Sequence, residues 1–198
     1  MLPTFSIVIA TKGRESLTGA FASAASQLRP GDEILVLCND AGDWGHSARN
    51  AAMPRAAGTH LLFMDDDDEY LPGALDAIRR FSAEHPDRIG IFRMRYFEDG
   101  RYVWNRREFR YKNVGTPCFV VPNVPGKLGR WDTSWPGGDW SFIEETVALQ
   151  GPPVFCDEVI AVIEPDHRPW VIRQYAELRF KLALRSRVRG VLRGGKDS

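Results

Sequence analysis

The chain has little cysteine, no excess of either charge and no long apolar run. Cys38, Cys118 and Cys156 are odd in number and widely spaced, which excludes a disulfide framework and a CxxC metal site. The expectation is a cytoplasmic, reducing compartment, and Met1-Leu2-Pro3-Thr4 starts no signal peptide. No stretch approaches the roughly 20 apolar residues of a membrane span. Basic and acidic residues number 26 each, so the formal net charge is zero. No G-x-G-x-x-G follows the first predicted strand, and no G-x-x-x-x-G-K-[ST] occurs anywhere. Dinucleotide binding and P-loop chemistry lose their main support.

What is present is a 198-residue chain with 43% hydrophobic residues, enough for one domain with a real core. It is organised around Thr59 to Tyr70. A four-residue apolar run, Leu61 to Met64, ends in Asp65, Asp66, Asp67, Asp68 and Glu69. Such a run reads as a strand buried on both faces, the kind found in parallel sheets covered by helices. The carboxylates then stand at the strand's carboxyl end, where open α/β sheets bind ligands. Clustered carboxylates repel one another unless a cation neutralises them. Mg²⁺ or Mn²⁺ suits that donor set, shared with a nucleotide's phosphates. A calcium loop starting at Asp65 fails on spacing, because Tyr70 stands where glycine is required and Asp76 ends it in place of glutamate.

Around this centre the pattern alternates. Phe5 to Ala10 and Glu33 to Cys38 read as buried strands, and each ends in a polar loop. The spacing of Leu17, Phe21, Ala24 and Leu28 predicts a helix between them. Ser47 to Ala57 predicts a short helix holding Pro54, and Leu75, Ile78 and Phe81 predict another after Pro72. Three strand–helix alternations imply a doubly wound, mostly parallel sheet with flanking helices. Ile89 to Phe97 and Arg101 to Trp104 predict a hairpin, a small antiparallel addition, and Val114 to Val121 and Val154 to Ile163 predict further strands. Trp140 to Leu149 predicts a helix. Beyond Pro169 eight basic residues face two acidic ones, a local charge of +6 on an amphipathic pattern. The expected organisation is one domain over 1–169, with halves 1–100 and 101–169, and a basic helix and tail over 170–198.

Four segments in order resemble the family 2 glycosyltransferases of the GT-A fold. They are Ser6 to Arg14, Ser47 to Asn50 with Ala56 to Thr59, Phe63 to Asp68 as the "DxD" turn, and Gly137 to Phe142 as the "GED" segment. The resemblance implies a Rossmann-like GT-A sheet and inverting transfer of a sugar from a nucleotide diphosphate, UDP-type, to an acceptor hydroxyl. It implies Asp67 and Asp65 as metal ligands, with His167 as a further one, and Asp139 as the general base. Thr11, Arg14, Asn39, Asp40, Arg49, Asp65 and Asp66 fall where the family grips the donor. Gly138 departs from the pattern, standing where glutamate is usual.

Trp104, Trp135 and Trp140 are candidates to stack on an acceptor, whether a glycan, a lipid-linked sugar, a protein or a nucleic acid. The basic end suits peripheral contact with the inner face of a membrane or with a polyanion. Two alternatives share some features: a nucleotidyltransferase of related fold, and a non-enzymatic binder of nucleic acid or membrane surfaces.

Overall fold

The structure, a computed structural model, describes residues 2–38 and 40–163. Seven strands form one sheet in the order β2-β1-β3-β6-β5-β7-β4. β1 (Phe5–Thr11) lies between β2 (Glu33–Cys38) and β3 (His60–Asp65), parallel to both. β5 (Gly90–Tyr96) runs parallel to β7 (Val154–Ile163). These parallel ladders carry most of the pairing. Short antiparallel contacts join β3 to β6 (Phe119–Pro122), β6 to β5, and β7 to β4 (Glu69–Tyr70). The mostly parallel sheet with its short antiparallel part is the architecture anticipated from the alternation.

The hydrophobic pattern explains the centre. Leu61, Leu62, Phe63 and Met64 are fully buried, as a strand with neighbours on both edges and both faces requires. Their burial contributes about 1.5–3 kcal/mol per side chain. Phe63, Phe119, Trp131 and Phe142 pack ring on ring beneath the carboxyl end of β3, with Trp131 and Phe142 stacked at 4.9 Å. Helix α1 (Leu17–Ala25) turns small residues, Ala20, Ser23 and Ala24, inward. Ser23 Oγ accepts the Tyr70 N–H at 3.1 Å, which anchors the two-residue β4 that periodicity alone does not predict.

Local departures have local causes. The helix expected over Ser47 to Ala57 is α2, His46–Ala52, followed by a 3₁₀ turn, Met53–Arg55. Pro54 lacks an N–H and crowds the preceding turn, so the α-helical ladder stops before it. The expected hairpin is reduced to one bridge, Arg95 to Tyr102. The strand expected from Val114 begins only at Phe119, after a 3₁₀ turn over Thr116–Cys118. Helix α3 (Ala74–Glu84) follows Pro72, and α4 spans Gly138–Gln150. Among the described residues no helix is long and apolar enough to cross a membrane. Asn39, His167 and the basic helix expected from residue 170 lie outside the described residues.

Candidate active site

The parallel register of β1 and β3 sets Ala10 beside Asp65, so both strands deliver their terminal loops to one edge. There a cavity of about 260 Å³ is lined by Thr11, Lys12, Arg14, Trp44, Arg49, Asp65, Asp66 and Asp67 among others. Each carboxylate of the turn has its own partner. Thr11 Oγ1 donates to Asp66 Oδ2 at 2.7 Å and the Lys12 N–H donates to the same oxygen at 3.2 Å. Asp66 is thereby buried and braces the β1 loop against the turn. Arg14 donates to Asp67, and Arg49 donates to Asp65. The repulsion that the sequence predicts in this turn is therefore met by two arginines of the same chain.

Desolvation foremost pushes the Asp65 carboxyl up, with Arg49 opposing and Asp67 and Asp66 adding to the rise. Yet 41% of its side chain is open to the cavity, and the guanidinium touches it. Contact with Arg49 and with the open cavity favours its ionised form. Arg49 is itself 1% exposed. Its guanidinium also donates to the Trp44 carbonyl at 2.9 Å and stacks 4.7 Å above the Trp131 ring. Gly45 leaves the room, because a Cβ there would meet Ala10 Cβ and Arg49 Nη1 at 2.7 Å.

Helix α2 joins this cavity to the loop before α4. Asn50 binds both backbone groups of Trp131, donating to its carbonyl at 2.8 Å and accepting its N–H at 3.0 Å. His46, four residues earlier on the same helical face, meets the Asp132 carbonyl through Nδ1 at 2.7 Å. A carbonyl only accepts, so Nδ1 carries the hydrogen. Desolvation is the main cause lowering the pKa of His46, which keeps the ring neutral.

The loop so held leads into the first turn of α4 and Asp139. Its carboxyl is pushed up to about 6, chiefly by burial; the Trp140 N–H, donating to Oδ1 at 2.7 Å, and the charge of Arg49 pull it down, and the charge of Asp65 raises it. Asp139 does not line the cavity, although the charges of Asp65 and Arg49 reach it. Beside it, Phe109, Tyr111, Trp135 and Trp140 form an aromatic cluster with centroids 4.9–6.2 Å apart. Trp104 is not part of it. It is fully buried, donates Nε1–H to the Phe92 carbonyl at 2.8 Å and packs on Phe155, so no acceptor can stack on it.

The family model described as glycosyl transferase family 2 matches residues 24–130. The chain belongs to glycosyl transferase family 2. Among solved structures it is similar to S. aureus TarS, at a TM-score of 0.64 and 15% identity, over 81% of this chain and 36% of that one. TarS 1–349 in complex with UDP-GlcNAc superposes at 0.62 with 16% identity over 80% of this chain and 58% of that one. The complex of the same protein with UDP gives 0.62 and 16% over 80% and 60%. At such identities the likeness shows the GT-A fold, and the chain spans about a third to three-fifths of those structures. No curated protein matches it by sequence.

In this family 2 glycosyltransferase, Thr11, Arg14, Arg49, Asp65, Asp66 and Asp67, from three of the four segments, line one cavity. Asp40 is exposed on the loop after β2 and does not line it. Lys12, Trp44, His46 and Asn50 were not among the predicted site residues. Trp44 and His46 sit at positions without a motif signal, whereas Lys12 and Asn50 lie inside the segments Ser6 to Arg14 and Ser47 to Asn50.

Proposed function

We propose that this chain transfers a sugar from a UDP-type nucleotide diphosphate to an acceptor hydroxyl with inversion, Asp139 taking the hydroxyl's proton. The observation that carries the reading is a cavity holding three carboxylates and three basic side chains at the ends of β1 and β3, with a half-buried carboxyl of raised pKa beside it. A base is useful when its pKa lies near the working pH, and about 6 suits Asp139. A carboxylate on the acceptor side, opposite the departing diphosphate, favours single displacement. Arg14, Lys12 and Arg49 supply positive charge for the diphosphate. The family membership and the UDP-GlcNAc complex of the similarly folded TarS favour sugar transfer over nucleotidyl transfer or simple binding.

Asp67 and Asp65 fit a divalent cation. Two carboxylates open to a cavity suit a Mg²⁺ or Mn²⁺ that keeps its other positions for phosphate oxygens and water. Among the described residues no group of three or more His, Cys, Asp or Glu side chains is placed to hold a metal ion. When bound, the ion supplies Lewis-acid neutralisation of the diphosphate. His167 is a further candidate ligand. Asn39 and Asp40 remain candidates for the base and ribose.

The Tyr111–Trp135–Trp140 cluster beside Asp139 is the proposed acceptor platform. The +6 end beyond Pro169 is proposed to meet an anionic surface from the cytoplasmic side. Absence of binding to anionic vesicles and DNA at low salt would remove that last element.

The decisive experiment measures thermal stabilisation and hydrolysis with a panel of nucleotide sugars, with and without Mn²⁺ or Mg²⁺. UDP-sugars are expected to stabilise the protein only with metal, and the released sugar should carry inverted configuration. A protein that no nucleotide sugar stabilises would sink the reading.

A further inference from the structure

His46 is 3% exposed, yet it belongs neither to the sheet core nor to the cavity lining. It stands between two tryptophans, with ring centroids 5.9 Å from Trp44 and 5.7 Å from Trp131. Its Nδ1–H is committed to the Asp132 carbonyl. Its other contact explains the departure at Gly138. A Cβ built there would collide with Cε1 and Nδ1 of His46 and would lie 2.7 Å from the Asp132 carbonyl. The imidazole cannot turn aside, because the two rings flank it and the hydrogen bond fixes its plane. Gly138 is the first residue of α4, and Asp139 is the next.

We propose that His46 is a positioning residue for Asp139, acting through its fit against Gly138. The ring sets how closely the first turn of α4 approaches the donor cavity, and the Asp132 bond sets the ring. Helix α2 thus carries Arg49 toward the donor and His46 toward the base, so one short helix fixes the spacing of the two. The fit also accounts for glycine where the family pattern has glutamate: a side chain at 138 would collide with both the imidazole of His46 and the Asp132 carbonyl.

The inference rests on the glycosyl-transfer reading for its kinetic arm alone. His46→Ala should lower kcat by roughly 10- to 100-fold, the scale of a small misplacement of a catalytic group. The Kd for UDP should stay within about threefold, since uniform binding is not what is lost. His46→Asn, whose amide reaches the place of Nδ1, should recover much of kcat. Gly138→Ala should mimic His46→Ala, and Gly138→Ala combined with His46→Asn should lose less than the two losses multiplied.

Amide exchange needs no activity. His46→Ala should accelerate it about tenfold at Trp140 to Phe142 while β1 and β3 keep their protection. Exchange that is unchanged there, or that rises uniformly with a lower Tm, overturns the proposal. So does a loss of UDP affinity with kcat retained. If the wild type neither binds nor hydrolyses any nucleotide sugar of the panel, the sugar-transfer reading fails, and the exchange pattern alone decides the role of His46.

Discussion

The first half of the chain and residues 98–137 are built by different means. On the donor side, β1, β2 and β3 pair residue for residue, and their backbone ladders set where Thr11 and Asp65 end up. On the proposed acceptor side, residues 98–137 contain one 3₁₀ turn and the four-residue β6 as their regular elements. Side chains supplement the few backbone bonds that tie that region down. Asn113 Nδ2 donates to the carbonyls of Arg106 and Glu108 at 3.1 and 2.6 Å, and Trp104 pins it to β5. A ladder tolerates surface change, because its bonds are backbone bonds. A segment held by single side chains depends on each of them, and it is free to differ where acceptors differ.

The contrast can be broken from the donor side. Asp67→Ala should abolish metal-dependent nucleotide binding, read by calorimetry with and without Mn²⁺. The fold should persist, because Arg14 is half exposed and still has Asp66 at 3.4 Å. Pairs of that kind contribute about 0–1 kcal/mol. Next in size, Asp139→Asn should reduce turnover by roughly 10²-fold with donor affinity kept.

Two pH effects go with Asp139. Turnover in the wild type should fall as pH drops below about 6, where the base becomes protonated. The stability effect has the opposite sense. A raised carboxyl pKa means that the folded state holds the proton more tightly than the unfolded chain, so stability falls as pH rises from about 4 to about 6. Asp139→Asn should therefore gain in Tm relative to wild type at pH 7, and gain less at pH 4.

Arg49→Lys tests the junction between the two sides. A lysine cannot reach Asp65, the Trp44 carbonyl and the Trp131 face together. Destabilisation of about 2–3 kcal/mol in urea unfolding is expected, with weaker nucleotide binding. The smallest effect sharpens the acceptor side. Trp104→Phe orphans the Phe92 carbonyl and should cost about 1–2 kcal/mol while leaving turnover unchanged. A changed acceptor KM would show that Trp104 acts beyond packing.

Much of the donor half was legible beforehand because its signals are local. Leu61 to Met64 reads as a buried strand, and Asp65 to Asp68 then stand at its carboxyl end. Strand bounds for Glu33–Cys38 and Val154–Ile163 agree with the pattern to the residue. The second half was read less well. The expected strand from Val114 to Val121 loses its first five residues, because Pro117 and the bend after Gly115 turn Thr116–Cys118 into a 3₁₀ element. Trp104 looked like a ring available to sugar, because composition does not distinguish a surface tryptophan from one whose Nε1–H is satisfied inside.

The α/β alternation, the family and the place of the acidic turn are legible from residues adjacent along the chain. Which charge answers which depends on the folded arrangement. Arg14 reaches Asp67 across 53 positions, Thr11 reaches Asp66 across 55, and His46 reaches Asp132 across 86. Such pairs are chosen by strand order and helix placement, which no local pattern encodes. The glycine at 138 shows the same limit: its absence of a side chain acquires a reason only when the fold brings an imidazole against it.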